Sequence, residues 1–243
     1  MRNVHKMKIL VVIPNYGMPP ETLKERERML KSMTSMNTEF DVVCIDRGPE
    51  TIEGYYDEVL AGPAVLDKLK GVEKLYDAVI IYCFSDPAVE AAREMLDIPV
   101  IGPGEASIYI AAMLGHKFSL ITVLEELIPK EIKRVYEMGF GHRLASVRAV
   151  DIPVADLRKD LTKTVKKVVE AARKAVEEDG AQVIVLTCLG FAGLGCEVQK
   201  RLGVPVVDPA VAAVKIAELM VDMKVTYSRK FYLRPREKVR ANR

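Results

Sequence analysis

Short runs of apolar residues alternate with amphipathic stretches from one end of the chain to the other. The apolar runs are continuous in Val and Ile rather than alternating with polar residues, which is typical of strands buried on both faces of a parallel sheet. Eight runs predict strands at residues 8–14, 40–46, 77–83, 98–102, 118–124, 144–150, 181–188 and 204–208. The clearest helix is predicted from about residue 156 to residue 178, before Gly180. This order of elements predicts an α/β protein with parallel sheets covered by helices.

The second half of the chain repeats the order of elements in the first half. The strand that begins at Lys8 matches the strand that begins at Lys117, 109 residues later, and two strands that end in cysteine match at a distance of 105 residues. The repeat predicts two flavodoxin-like, three-layer lobes related by a pseudo-two-fold axis, with the active site in the interlobe cleft. We expect residues 1–103 and 209–243 to form the first lobe and residues 104–208 to form the second.

Composition and charge argue against several classes of protein. The formal net charge is only +2, although seven Lys/Arg face one Glu from Tyr227 onward. We interpret this basic tail as a solvated or oligomer-docking segment, so we expect no nucleic-acid partner. No run of 18 uninterrupted apolar residues predicts a membrane span, and the start of the chain lacks the pattern of a secretory signal. Four cysteines without paired short spacing then indicate reduced thiols and a cytoplasmic location.

Cys83 and Cys188 each end an apolar strand and precede a helix, at equivalent positions of the repeat. Ser85 or Asp86 is suited to cap the helix after Cys83, with Pro87 in its first turn. We therefore expect the positive end of this helix to lower the pKa of the Cys83 thiol. After Cys188, a glycine-rich turn allows backbone amides to approach a ligand and to face developing negative charge. A purely structural role is the alternative for each thiol taken alone, because free cysteine is often buried.

Two opposed thiols have a limited set of uses. A redox pair is normally close in sequence, as in Cys-x-x-Cys, and a disulfide across the cleft would block it. A metal site would need further ligands, but His5, His116 and His142 show no ligand spacing. Proton transfer on opposite faces of one carbon remains, with one cysteine as base and the other as acid. Such a reaction inverts the configuration of a small-molecule substrate and predicts no metal and no cofactor.

Other loops at the strand ends are expected to complete the pocket. Asn15 follows the first strand, where its amide can bond a carbonyl or imide, although a simple turn residue is the alternative. Gly48 follows the second strand and suits a backbone donor, and Thr122 ends the strand equivalent to the first. Cys44, inside a strand, and Cys196, in the helix after the second cysteine, are expected to be structural.

Several segments carry a family resemblance, which extends from about Lys8 to Asp222. They are RGPETIEGYYDE (47–58), CFSDPAVEAARE (83–94), IPVIGPGEAS (98–107), FSLIT (118–122), GHRLASVRA (141–149) and VPVVDPAVAAV (204–214). Through these segments the chain resembles the hydantoin and allantoin racemase branch of the aspartate/glutamate racemase superfamily. The resemblance implies a two-lobed α/β fold, a homo-oligomer, and Cys83 and Cys188 as the catalytic acid and base. It also implies substrate contacts from Asn15, Gly48, Thr122, Leu189 and Gly190.

The chain departs from the family pattern next to both cysteines. The Cys-Asn-Thr motif by which amino-acid racemases of the superfamily hold a free amino acid is replaced by Cys83-Phe84-Ser85. We assign Phe84 and Ser85 to substrate binding, and this replacement disfavours free aspartate or glutamate as substrate. The second motif, typically Gly-Cys-Ala-Gly-Met, reads Thr-Cys-Leu-Gly-Phe here, which changes the pocket wall.

The resulting hypothesis is a cofactor-independent racemase. It would invert the stereocentre of a 5-substituted hydantoin or related cyclic ureide by two-cysteine, two-base proton transfer. Three alternatives stay open at this point: a racemase of a free amino acid such as aspartate or glutamate, a small-molecule binding protein, and a thiol redox sensor.

Overall fold

Two parallel sheets of four strands each form the framework of the molecule. A computed structural model describes residues 6–34 and 37–239, so His5 and the last four residues of the basic tail lie outside it. The strand orders are β2-β1-β3-β4 and β6-β5-β7-β8, so the second sheet repeats the first. The strands are β1 (Met7–Tyr16), β2 (Thr38–Ile45), β3 (Ala78–Ile81), β4 (Val100–Ile101), β5 (Phe118–Thr122), β6 (Leu144–Ala149), β7 (Val183–Leu186) and β8 (Val206–Val207). The two-lobed α/β architecture predicted from the repeat is confirmed.

Eight α-helices follow these strands in the described part of the chain, one after each strand. They are α1 (Pro20–Met33), α2 (Tyr55–Lys68), α3 (Val89–Met95), α4 (Pro103–Leu114), α5 (Ile128–Glu137), α6 (Leu161–Glu177), α7 (Gly195–Leu202) and α8 (Pro209–Asp222). The start predicted for the sixth helix, at about residue 156, is wrong. Asp160 is its N-cap and accepts a hydrogen bond from the Lys163 backbone N–H at 3.0 Å, so the helix begins at Leu161.

Side chains alternate between two apolar layers along the buried strands. Ile9 and Val11 of β1 belong to a central cluster that also holds residues of β5, β7, α4 and α8. Leu10 and Val12 point the other way, into a cluster under α2. The central cluster therefore joins the two lobes through one continuous core. Helix α8 packs on β3, β4 and α1, whereas α4 packs on β7 and β8. The division of the chain at residues 103 and 209 stays a prediction.

The basic tail packs on the first lobe where it leaves α8. The Arg93 guanidinium lies over the Tyr227 ring at 4.1 Å, and the Tyr227 hydroxyl donates to the Val100 carbonyl at 2.6 Å. Arg229 Nε donates to the Asp97 carboxylate at 2.9 Å. These contacts hold the start of the tail against α3 and β4 rather than in solvent. Among the described helices, none combines the length and the apolar character needed to cross a bilayer.

Candidate active site

The carboxyl ends of both sheets border one cavity of about 520 Å³. Eight of the nine predicted site residues line it: Asn15, Cys83, Phe84, Ser85, Thr122, Cys188, Leu189 and Gly190. The cavity also has walls from residues that were not predicted, including Tyr82 and Glu131. Parallel sheets bring residues that are distant in sequence to a common edge, which is why the two cysteine-ending strands meet here.

Gly48 is the ninth predicted residue, and it does not line the cavity. Its φ of 133° lies in the region that favours glycine, and a Cβ at this position would be 2.8 Å from Ile45 Cδ1. Residues 50–52 of the same loop line the cavity instead. The backbone of Gly48 shapes this loop, and its contact with substrate stays a prediction.

The loop from residue 83 to residue 88, the Cys83 loop, does not cap the helix that follows it. Helix α3 begins only at Val89, after Asp86 and Ala88 adopt left-handed φ values of 53° and 60°. The predicted capping by Ser85 or Asp86 is therefore wrong. The Asp86 carboxylate instead accepts hydrogen bonds from the backbone N–H groups of Gly104 and Glu105 at 2.9 and 2.8 Å. It thus satisfies the N-terminus of α4 rather than that of α3.

Helix α5 of the second half of the chain holds the Cys83 loop from across the cleft. Arg134 Nη1 forms an ion pair with Asp86 at 3.0 Å, and Arg134 Nη2 donates to the Ser85 carbonyl. Lys130 Nζ donates to the Ser85 hydroxyl at 2.9 Å and pairs with Glu58 of α2. Both cations are largely buried, so these contacts fix the position of the Cys83 loop relative to the second sheet.

The loop from residue 188 to residue 194, the Cys188 loop, is held by hydrogen bonds from its own half of the chain. Cys188 Sγ accepts a hydrogen bond from the Gly190 N–H at 3.3 Å. A Cβ at Gly190 would be 2.4 Å from Leu157 Cδ1, so a larger residue here would require the Leu157 side chain to shift. Arg158 Nη1 donates to the carbonyls of Gly190 and Ala192, each at 3.1 Å.

The start of helix α8 also holds the Cys188 loop. Asp208, the N-cap of α8, accepts hydrogen bonds from Gly193 N–H at 2.7 Å and Gly195 N–H at 3.3 Å. The same carboxylate accepts from the Ala210 N–H at 3.0 Å, inside the first turn of the helix. One side chain therefore caps the helix and fixes the loop.

Burial raises the pKa of the Cys83 thiol to about 12. A hydrogen bond from the Ser85 backbone opposes the rise, while the Cys188 thiol and the Asp86 carboxylate add to it. The predicted lowering of this pKa by a helix N-terminus is wrong, because α3 begins six residues further along and desolvation dominates. In the free protein near neutral pH, Cys83 therefore carries its proton.

Burial also raises the pKa of the Cys188 thiol, to about 11. The hydrogen bond from Gly190 and the positive charge of Arg26 oppose the rise, and Glu53 and Glu131 add to it. Arg26 lines the same cavity from α1. The environment of Cys188 thus favours the thiolate more than that of Cys83 does.

The remaining walls combine satisfied and unsatisfied polar groups. Asn15 Nδ2 donates to the Glu50 carbonyl at 2.7 Å, so this side chain orders the neighbouring loop. Thr122 is buried at the end of β5. In contrast, the buried Tyr82 hydroxyl and Glu131 Oε2 have no hydrogen-bond partner within residues 6–34 and 37–239. Tyr82 immediately follows β3, and this position is the signal by which it could have been found, whereas Glu131 lies within α5, away from any strand end.

The other two cysteines lie away from the cavity. Cys44 is half-buried within β2, and Cys196 is exposed on α7. Within residues 6–34 and 37–239, no group of three or more His, Cys, Asp or Glu side chains is placed to hold a metal ion.

Two parallel-sheet lobes that enclose one cavity place the protein among the two-lobed α/β enzymes with their site between the lobes. The chain belongs to the Asp/Glu/Hydantoin racemase family, whose model matches residues 9–217. It is 38% identical to a hydantoin racemase of Pseudomonas sp. (strain NS671) over 234 residues, which cover 96% of this chain and 93% of the relative. The protein is therefore an isomerase of the racemase type, as the sequence predicted.

Solved structures of two allantoin racemases have the same fold. The enzyme from Pseudomonas fluorescens superposes with a TM-score of 0.90 at 34% identity, covering 97% of this chain and all of that one. The enzyme from Klebsiella pneumoniae gives a TM-score of 0.90 at 32% identity, covering 97% and 96% of the two chains. The predicted resemblance to this branch of the superfamily is thus confirmed over nearly the full length of the chain.

Proposed function

We propose that the protein racemises a 5-substituted hydantoin or a closely related cyclic ureide, with Cys83 and Cys188 as the two acid/base groups. The observation that carries the proposal is the position of these thiols, at equivalent strand ends of two repeated lobes and on the wall of one cavity. Similarity to enzymes named hydantoin racemase and allantoin racemase supports the choice of a cyclic ureide.

The chemistry requires one thiolate and one thiol. The thiolate removes the proton from the ring carbon that bears the side chain, and the thiol on the opposite face delivers its proton to the same carbon. The intermediate carbanion is delocalised into the adjacent ring carbonyl, so negative charge develops on that oxygen. Backbone N–H groups of the two thiol loops are the donors available to stabilise it. Proton transfer of this kind needs no bound cofactor.

The raised thiol pKa values are compatible with this mechanism. A base of pKa about 11 or 12 is a stronger proton acceptor once ionised than an ordinary cysteine, which suits a weakly acidic carbon. Only a small fraction of either thiol is ionised near pH 7, so the rate is expected to rise with pH. Binding of a substrate with polar groups would replace part of the solvation that burial removes.

Replacing each cysteine separately tests the proposal. Cys83→Ser and Cys188→Ser are each expected to racemise an enantiopure 5-substituted hydantoin about 10³-fold more slowly, measured as the rate at which optical rotation is lost. Cys196→Ser, on the exposed face of α7, is the matched control and should racemise at the native rate. Near-native racemisation by either of the first two variants would exclude the two-thiol mechanism.

A substrate panel tests the choice of ring. Enantiopure hydantoins and enantiopure aspartate and glutamate should be assayed side by side, because a free amino acid is the alternative substrate. We expect turnover of the hydantoins and not of the amino acids, since buried Phe84 stands where an amino-acid racemase carries asparagine.

The homo-oligomeric state and the cytoplasmic location stay predictions. Analytical ultracentrifugation would determine the oligomeric state.

A further inference from the structure

Glu131 is a buried carboxylic acid on the wall of the cavity. It lies in the first turn of α5 and is only 3% exposed. Its Oε2 atom has no hydrogen-bond partner among the described residues. Buried carboxyl groups almost always have partners in native proteins, so this carboxyl group, whose residue lines the ligand cavity, points to a polar group that the ligand supplies.

A purely structural ion pair with Arg134 does not satisfy this oxygen. Arg134 Nε is 3.8 Å from Glu131 Oε2, beyond hydrogen-bond distance, and neither atom has a hydrogen-bond partner in the described part of the chain. The Nη atoms of Arg134 bind Asp86 and the Ser85 carbonyl instead. Lys130, the other nearby cation, is bound to Glu58 and Ser85. Both cations therefore direct their hydrogen bonds to other groups.

The charges around Glu131 come from three elements. Arg134 and Lys130 of α5 favour its ionised form, while Asp86 of the Cys83 loop and Glu58 of α2 oppose ionisation. Burial dominates this balance and raises the pKa of Glu131 to about 7. Glu131 also contributes to the raised pKa of Cys188, so its carboxyl group lies close enough to one thiol to influence it.

We propose that the ionised Glu131 side chain is a substrate-binding group that accepts a hydrogen bond from a ring N–H of the cyclic ureide. A hydantoin ring alternates carbonyl and N–H groups, and an N–H is the donor that an unpaired carboxylate oxygen requires. The inference rests on the proposed function. It explains how the cavity distinguishes a ureide ring from a ring of similar shape without N–H donors, which would leave the carboxylate unpaired.

Calorimetric binding of unsubstituted hydantoin tests this role without a catalytic readout, since this ligand has no stereocentre to invert. The native protein should bind it about tenfold more tightly at pH 8 than at pH 6, because the ionised fraction of Glu131 rises through pH 7. Glu131→Gln keeps the shape of the side chain but cannot ionise, so its affinity should be independent of pH and about tenfold weaker at pH 8. Glu126→Gln, on the exposed turn before α5, is the control and should behave as the native protein.

Methylated ligands give a second readout. Either 1-methylhydantoin or 3-methylhydantoin should bind the native protein about tenfold more weakly than hydantoin, and this difference should disappear in Glu131→Ala. A native affinity without pH dependence, an unchanged pH dependence in Glu131→Gln, or an undiminished methyl effect in Glu131→Ala would each overturn the inference. If the native protein binds no hydantoin at all, the proposed function fails as well. Native binding that Glu131 variants leave unchanged contradicts this inference alone.

Discussion

Each thiol loop is joined to a neighbouring helix by one carboxylate, but the loop provides it in one half of the chain and the helix provides it in the other. In the first half of the chain, Asp86 belongs to the Cys83 loop and binds backbone amides at the start of α4. In the second half, Asp208 belongs to the start of α8 and binds backbone amides around the Cys188 loop. Both halves of the chain thus have a carboxylate between the thiol loop and a helix N-terminus, although it belongs to different elements in the two halves.

This difference changes the environment of the thiols. The Asp86 carboxylate adds to the rise in the pKa of its neighbour Cys83, whereas the positive charge of Arg26 opposes the rise in the pKa of Cys188. The Cys83 loop is also held by buried cations across the cleft, while the Cys188 loop is held by the more exposed Arg158. Equivalent positions in a repeated fold therefore need not be chemically equivalent, and the following experiments measure how far the two thiols differ.

The largest expected difference concerns which enantiomer each thiol recognises. In Cys188→Ser only Cys83 remains, so it should exchange the ring proton of one hydantoin enantiomer with deuterium and leave the other unexchanged. Cys83→Ser should show the opposite preference, with a difference of about 10³-fold between enantiomers in each case. Proton NMR in D₂O measures both rates. Exchange of both enantiomers by either variant would show that the thiols do not act on opposite faces.

The supports of the two loops should differ in their effect on stability. Arg134→Met leaves the buried Asp86 carboxylate without its ion-pair partner and should lower the free energy of unfolding by about 3 kcal/mol. Arg158→Met removes hydrogen bonds from a more exposed side chain and should lower it by about 1 kcal/mol. Urea unfolding monitored by circular dichroism compares the two. Equal losses of unfolding free energy would mean that the ion pair across the cleft stabilises the fold no more than the hydrogen bonds of Arg158 do.

Alkylation rates should rank the two thiols. With pKa values of about 12 and 11, Cys83 should react with iodoacetamide about threefold more slowly than Cys188, because its smaller thiolate fraction is only partly offset by the greater nucleophilicity of a more basic thiolate. Both rates should increase about tenfold for each unit of pH up to about pH 10, since both pKa values lie above that range. Mass spectrometry of tryptic peptides gives the two rates in one sample. Faster labelling of Cys83 would reverse the proposed order.

The smallest expected effect comes from Arg26. Removing its positive charge by Arg26→Gln should raise the pKa of Cys188 and slow alkylation there about twofold, without changing Cys83. Because Arg26 is partly exposed, the effect should diminish at high ionic strength. A change at Cys83 of the same size would indicate a general disturbance of the cavity instead.

The positions of the strands and their parallel arrangement could be predicted because continuous Val and Ile runs identify buried parallel strands. The paired cysteines could be located because the repeat aligns the ends of those strands. The partner of Asp86 could not, since its local sequence equally fits an N-cap, and only the folded chain brings the α4 amides within reach. A local pattern specifies the capability of a side chain, whereas its partner depends on tertiary structure.

Glu131 was missed for a related reason. It lies in the segment Ile-Pro-Lys-Glu-Ile-Lys-Arg, whose charges are typical of a helix facing solvent. Docking of this helix against the Cys83 loop buries Lys130 and Glu131 and leaves Arg134 only partly exposed. Burial of this charged face depends on contacts between the two halves of the chain, which hydrophobic periodicity does not report.

The exchanged positions of the two carboxylates limit how this fold can be re-engineered by grafting. Gly102 is the N-cap of α4, at the position where Asp208 caps α8. A Cys188 loop transplanted into the first half would therefore lie beside a glycine, without the carboxylate that binds its amides in the native site. Transplanting the Cys83 loop into the second half would place the equivalent of Asp86 next to Asp208, two carboxylates where the native site has one. The smallest unit that can be moved is therefore the loop together with the next strand and the first turn of the helix beyond it.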